Sequence, residues 1–143
     1  MAPNLIAQAS TTIHADSDDV WKALIDPAAL KQYMFGADVS SDWRAGSLIT
    51  WKGEIKGKRY EDKGRVLEVE PGRLLKYSHF SPLSGQPDKP ENYHTVTIEL
   101  EEQGDETLVS LSQDKNADEK AREHSEKNWG VMLEGLKKYV EKE

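Results

Sequence analysis

Apolar positions near the end of the chain recur at spacings of three and four: Trp129, Met132, Leu133, Leu136, Tyr139 and Val140. That periodicity predicts an amphipathic helix from Asp118 to the end of the chain. Gly130 and Gly135 lie inside it, each costing roughly 1 kcal/mol relative to alanine. Burying six large side chains contributes about 1.5–3 kcal/mol apiece. Packing therefore outweighs the two glycines, provided the helix meets a large apolar surface.

Upstream, the pattern supplies that surface. Residues 5–14 are rich in threonine and free of turn residues, and predict a first strand. Asp16 or Ser17 can cap a short helix with Val20, Trp21 and Leu24 on one side. Asp26-Pro27 starts a second helix, because Asp caps well and proline is tolerated in the first turn. It runs through Leu30 and Tyr33 and stops near Gly36. Segments 47–53, 59–70, 73–80, 93–101 and 106–114 then predict strands, with Pro71-Gly72 and Gly104-Asp105 in tight connections. Glu68 and Glu70 alternate with Leu67 and Val69, as on the outer face of a half-buried strand. Consecutive strands on short turns pair antiparallel, since parallel pairing needs long crossovers. The fold class is α+β. A curved antiparallel sheet of six or seven strands wraps a long C-terminal helix, with two short helices after the first strand. One domain is expected over residues 1–143, without repeats or low-complexity tracts.

Charge narrows the partners. Charged residues make up 31% of the chain and the formal net charge is −7. This argues against nucleic acid and anionic membrane surfaces, which are bound by basic patches. The densest positive stretch, GEIKGKRYEDKGR, is interrupted by Glu54, Glu61 and Asp62. Without cysteine there are no disulfides, thiolate metal sites or thiol nucleophiles. The opening MAPNLIAQAS has neither the charged nor the apolar region of a leader, and no later stretch could span a bilayer. A soluble cytoplasmic protein is expected, with no membrane insertion.

The runs IHADSDDVWKALIDPAALKQY, GRVLEVEPGRLLKYS, ETLVSLSQD and NWGVMLEGLKKYVE resemble the START/SRPBCC superfamily. They are most similar to the branch named after the activator of heat-shock-protein-90 ATPase, over roughly residues 5–142. The resemblance implies a helix-grip fold with a deep cavity between the C-terminal helix and the sheet. It also implies lipid, hormone or polyketide binding, cyclase or hydrolase activity, or co-chaperone action. Tyr33 stands where many members carry tryptophan, and Ala45-Gly46 where Gly-Gly is frequent, which would reshape the pocket.

Alternation nominates inward residues. His94 shares a face with Val96, Ile98 and Leu100, and Gln113 shares one with Thr107, Val109 and Leu111. With Gln103-Gly104 as the turn, His94 falls opposite Gln113. Outward Lys76 leaves Leu75, Tyr77 and His79 inward. His79 ends one strand and His94 begins the next, so both fall at one end of the sheet. Tyr77, His79, His94 and Gln113 thus form the polar end of an apolar interior, suited to a ligand's hydroxyl or carbonyl. Solvated strand ends would read the same way. Of the aromatics Tyr33, Phe35, Trp43, Trp51, Tyr60 and Trp129, most should be core. Trp51, Trp129, Met132 and Leu133 are the candidate ligand-binding wall. Arg122 and Ser125 continue the Trp129 stripe as polar residues, as at a pocket mouth or a solvated helix start. The connection SPLSGQPDKPEN is long and carries three prolines, so it is either a lid or a surface insertion.

No metal site is expected, since two histidines lack a third ligand and no HExxH spacing exists. No cofactor is expected either, in the absence of GxGxxG, Walker or GxSxG patterns. Three functions remain open. The protein could hold an apolar or aromatic small molecule, modulate a chaperone ATPase through its outer surface, or use His79 or His94 in cyclisation or hydrolysis.

Overall fold

The structure, a computed structural model, describes residues 5–34, 36–55, 57–81, 87–89, 92–116 and 118–141. The chain runs β1 (Leu5–Ile13), α1 (Ser17–Ile25), α2 (Pro27–Tyr33), β2 (Asp38–Ser41), β3 (Leu48–Ile55), β4 (Lys58–Glu70), β5 (Leu74–His79), β6 (His94–Gln103), β7 (Glu106–Asn116) and α3 (Glu119–Glu141). The seven strands form one antiparallel sheet in the order β1-β7-β6-β5-β4-β3-β2. The helix-grip α+β architecture expected from the chain is present.

Local chemistry explains the helix starts. Asp16 accepts from the Asp19 amide at 2.9 Å and caps α1, so Asp16 rather than Ser17 has this role. Asp26 accepts from the Ala28 amide at 3.1 Å and caps α2, with Pro27 in the first turn. Because β1 and β2 are opposite edges of the sheet, α1 and α2 carry the chain from one edge to the other. Tyr33 fastens that crossing. Its hydroxyl donates to the Ala23 carbonyl at 2.6 Å, tying α2 to α1.

Gly135 shows why the last helix carries a glycine. A Cβ there would lie 2.9 Å from Tyr33 Cβ, so α2 and α3 can approach only without one. Gly130 has no such reason, since a Cβ would meet nothing within 4 Å. Met132, Leu133, Leu136 and Val140 are buried, while Trp129 and Tyr139 pack against the core from partly exposed positions. α3 packs chiefly on β1, whose inward positions Ala7, Ala9 and Thr11 are small and end on the fully buried Ile13. Its polar side chains serve that edge as well. Glu126 accepts from the Gln8 amide at 3.0 Å, Glu141 from the His14 amide at 2.8 Å, and Lys137 donates to the Thr12 carbonyl at 2.7 Å. Edge-strand groups that could template pairing with another chain are thereby covered.

Three expectations need correction. The β6–β7 turn is Gly104-Asp105, with Gln103 opposite Glu106, so Gln113 faces Val96 rather than His94. A two-residue shift of this kind preserves every face, because side chains alternate with period two. Second, β2 is a strand that the hydrophobic pattern did not reveal, since DVSS carries a single apolar residue. Third, β4 changes parity. Val66 pairs Tyr77 and Glu68 pairs Lys76, so an extra residue bulges out between them. Leu67 is therefore 46% exposed while Val66 is fully buried. Upstream of the bulge the inward set of β4 is Tyr60, Asp62, Gly64 and Val66.

β4 also divides its partners. Residues 58–65 pair with β3, and residues 66–70 pair with β5. At the junction Gly64 is required, because a Cβ would lie 1.7 Å from the Ser78 carbonyl oxygen. The two strands cross there in backbone contact. The next inward residues on either side, Asp62 and His79, are brought together by it.

Candidate functional site

The polar end of the concave face is assembled from five elements. β3 supplies Trp51, β4 supplies Asp62, β5 supplies His79, β6 supplies His94 and β7 supplies Gln113. Trp51 is the cross-strand partner of Asp62, and His79 is that of His94. The expected meeting of the two histidines at one end of the sheet is therefore in place.

Each histidine has one nitrogen held. His79 Nε2 lies 2.9 Å from Asp62 Oδ2, and its ring meets Trp51 edge-on with centroids 4.9 Å apart. His94 Nδ1 lies 2.9 Å from the Asp114 carbonyl oxygen. Asp62 is mostly enclosed, with a side chain 15% exposed against 29% for His79. Its other oxygen, Oδ1, is buried and accepts no hydrogen bond among the described residues. Buried carboxylate oxygens normally have a donor, so this acceptor marks the site.

Gln113 lies opposite Val96, two residues along from His94, and receives the Trp129 indole N–H on its Oε1. That bond ties α3 to β7 and leaves the Gln113 amide N–H groups as donors. Tyr77 packs against Trp51 with ring centroids 5.4 Å apart. Burial pushes the Tyr77 hydroxyl well above its ordinary value, so it stays protonated. Trp51, Tyr77, Met132 and Leu133 are all buried members of the core. The structure thus gathers the eight predicted residues on the concave side, four packed in the core and Trp129, His79, His94 and Gln113 partly exposed around it. None of them lines the five described surface clefts, of which the largest, about 700 Å³, lies over Glu68, Arg73 and Glu99.

Asp62 is the residue that the sequence reading missed. The alternation of Leu67 and Val69 with glutamates, read backward, places Asp62 outward. Only the bulge reverses this. Period two counted from Val66 would have found it, with Asp62 sharing a face with Gly64 and Tyr60. The polar stripe of α3 has structural partners: Arg122 pairs with Glu119 and Glu126, and Ser125 donates to Asn116 Oδ1 at 2.9 Å. Of the 81–92 connection, residues 82–86, 90 and 91 lie outside the described residues, as does Phe35. The described part is tied down on the outer surface. Tyr93 donates to Asp88 Oδ1 at 2.6 Å and stacks on Phe80, and Asp88 pairs with Lys63. Among the described residues, no group of three or more His, Asp or Glu side chains could hold a metal ion. No described helix is long and apolar enough to cross a membrane.

Comparison with known proteins adds to this geometry. Residues 14–141 match the family described as activator of Hsp90 ATPase homolog 1-like protein. No curated protein matches the chain. Among solved structures, the chain is similar to the solution structure of ChR145 from Cytophaga hutchinsonii, with 55% identity and a TM-score of 0.87 over 99% of this chain and 97% of that one. CalU16 from Micromonospora echinospora shares the fold at 22% identity and a TM-score of 0.73, over 97% of this chain and 87% of that one. The Aha1 dimer from Colwellia psychrerythraea shares it at 20% identity and a TM-score of 0.71, over 97% and 96%.

Proposed function

The chain belongs to the activator of Hsp90 ATPase homolog 1-like family, and from that premise we propose that it is a binding protein for an apolar or aromatic small molecule. The molecule's body lies between the sheet and α3, against Trp51, Tyr77, Trp129, Met132 and Leu133. Its polar group lies at the end formed by Asp62, His79, His94 and Gln113. A single observation carries this reading. A buried carboxylate oxygen without a described partner sits on the side chain that holds His79, whose cross-strand partner His94 is held by the Asp114 carbonyl, on an otherwise apolar face. A purely structural Asp–His pair would be expected to satisfy both carboxylate oxygens.

Nothing in this arrangement requires catalysis. General acid–base work needs a positioned substrate, whereas retention of a ligand needs only complementary polar groups in an apolar setting. Because Trp51, Tyr77, Met132 and Leu133 are packed in the core, a molecule enters only if α3 parts from β7, and the Trp129–Gln113 hydrogen bond is one contact that must then break. Native mass spectrometry of freshly purified protein tests the reading. A population heavier by one small molecule, lost on acid denaturation and depleted in Asp62→Leu, is expected. A single unliganded mass that stays unchanged on incubation with aromatic alcohols and amines would contradict it. Modulation of a chaperone ATPase is the second reading, supported by the family's name alone. A protein-stimulated ATPase rate unchanged by Asp62→Leu would place that activity on the outer surface.

A further inference from the structure

Resting on the binding reading above, the hydrogen-bond polarity of the site specifies what it binds. We propose that the polar end takes the hydroxyl or amino group of an aromatic or apolar molecule, and turns away carboxylates and phosphates.

Each hydrogen bond fixes a proton. The Asp114 carbonyl can only accept, so His94 Nδ1 carries the hydrogen of that bond. A neutral His94 then presents Nε2 as a lone pair. Asp62 Oδ2 accepts from His79 Nε2, so a neutral His79 presents Nδ1 as a lone pair. Asp62 Oδ1 is itself an acceptor with no described donor. Asp62 Oδ1, His79 Nδ1 and His94 Nε2 are therefore three acceptors on adjoining strands. Only a group with O–H or N–H bonds can satisfy them.

Gln113 adds donors further along the same face. Gln113 Oε1 is occupied by the Trp129 indole, which turns its amide N–H groups outward as donors. A hydroxyl gives its hydrogen to Asp62 or to an imidazole lone pair, while the Gln113 donors, three strands from Asp62, are left for another polar group of the molecule. An ammonium or amine instead gives two or three hydrogens to the acceptors. A carboxylate or phosphate would bring a second negative charge beside a largely enclosed Asp62, where water screens poorly. The two tautomers required here are opposite to each other. Backbone and carboxylate partners, not solvent, impose them.

The test uses the full chain and three probes of one shape: 2-phenylethanol, 2-phenylethylamine and phenylacetate. Each is titrated while the imidazole nitrogens of His79 and His94 and the Met132 methyl group are followed by NMR. The alcohol and the amine are expected to shift all three sites and to bind at least about tenfold more tightly than the acid, a gap of about 1.4 kcal/mol. Asp62→Asn replaces an acceptor by a donor and removes the charge, so the gap should shrink or reverse. Phenylacetate binding as tightly as the alcohol to the unmodified chain would overturn the proposal. Equal shifts at Met132 by all three probes would leave the binding reading standing and remove this one. No shift by any probe up to its solubility limit would remove both. Should Asp62→Asn fail to fold, the ranking on the unmodified chain decides alone.

Discussion

Asp62 and His79 illustrate how two residues acquire a role from their surroundings. A hydrogen bond between them is worth little in water, but here the carboxylate is largely enclosed and has no second described partner. Removing the imidazole leaves an uncompensated buried acceptor pair, so His79→Phe should destabilise by about 1–3 kcal/mol. Adding Asp62→Leu to that variant removes the stranded charge and should recover part of the loss. Urea unfolding of the two single variants and the double variant gives the coupling directly. Additive losses would mean that the pair does not interact. The glycines of α3 offer a second contrast at this scale. Gly130→Ala should stabilise by about 0.5–1 kcal/mol, because its added methyl meets open space. Gly135→Ala should destabilise, because its methyl would press on Tyr33. Equal effects at the two positions would contradict the close approach of α2 to α3.

At the scale of elements, the long helix and the strand faces were legible because their signals are periodic and redundant. Six apolar residues in α3 agree on one face, and Val96, Ile98 and Leu100 agree on another. The parts that were not legible depend on a single residue. One extra residue between Val66 and Glu68 reverses the parity of β4 and hides Asp62 among surface charges. A turn placed one residue too early slid Gln113 by two positions against β6, but left it on the correct face. Val39 alone could not declare β2. The close approach of β4 and β5 at Gly64 likewise leaves no periodic trace, and it is the feature that sets Asp62 beside His79. Gly64→Ala tests that crossing. A methyl cannot fit 1.7 Å from a carbonyl oxygen, so the strands must separate. The variant is expected to lose several kcal/mol, on the order of the largest single-residue effects. Its His79 and Asp62 resonances should also lose their mutual contact. A Gly64→Ala protein as stable as the original would show that the crossing is loose.

For the whole molecule, burial of ionisable groups in the apolar interior makes stability depend on pH at the alkaline end. Burial raises the hydroxyls of Tyr33 and Tyr77 above their ordinary values, and Tyr33 is pushed further by Tyr77, Tyr139 and Asp26. A folded-state value above the unfolded one means stability that is complete below the unfolded value of about 10 and is lost as pH rises beyond it. The expected slope is about 1.4 kcal/mol per pH unit for each tyrosine, and Tyr77→Phe should halve it. Urea unfolding between pH 9 and pH 11 measures this, and a flat profile would mean that neither hydroxyl is sealed from water. The polar end of the concave face is tested most directly by long-range proton–nitrogen correlation of the imidazoles, first alone and then with 2-phenylethanol. The expected spectrum shows His79 protonated at Nε2 and His94 at Nδ1, with both lone-pair nitrogens shifting as the alcohol binds. Two imidazoles that share one solvent-averaged pattern and ignore the alcohol would contradict the site.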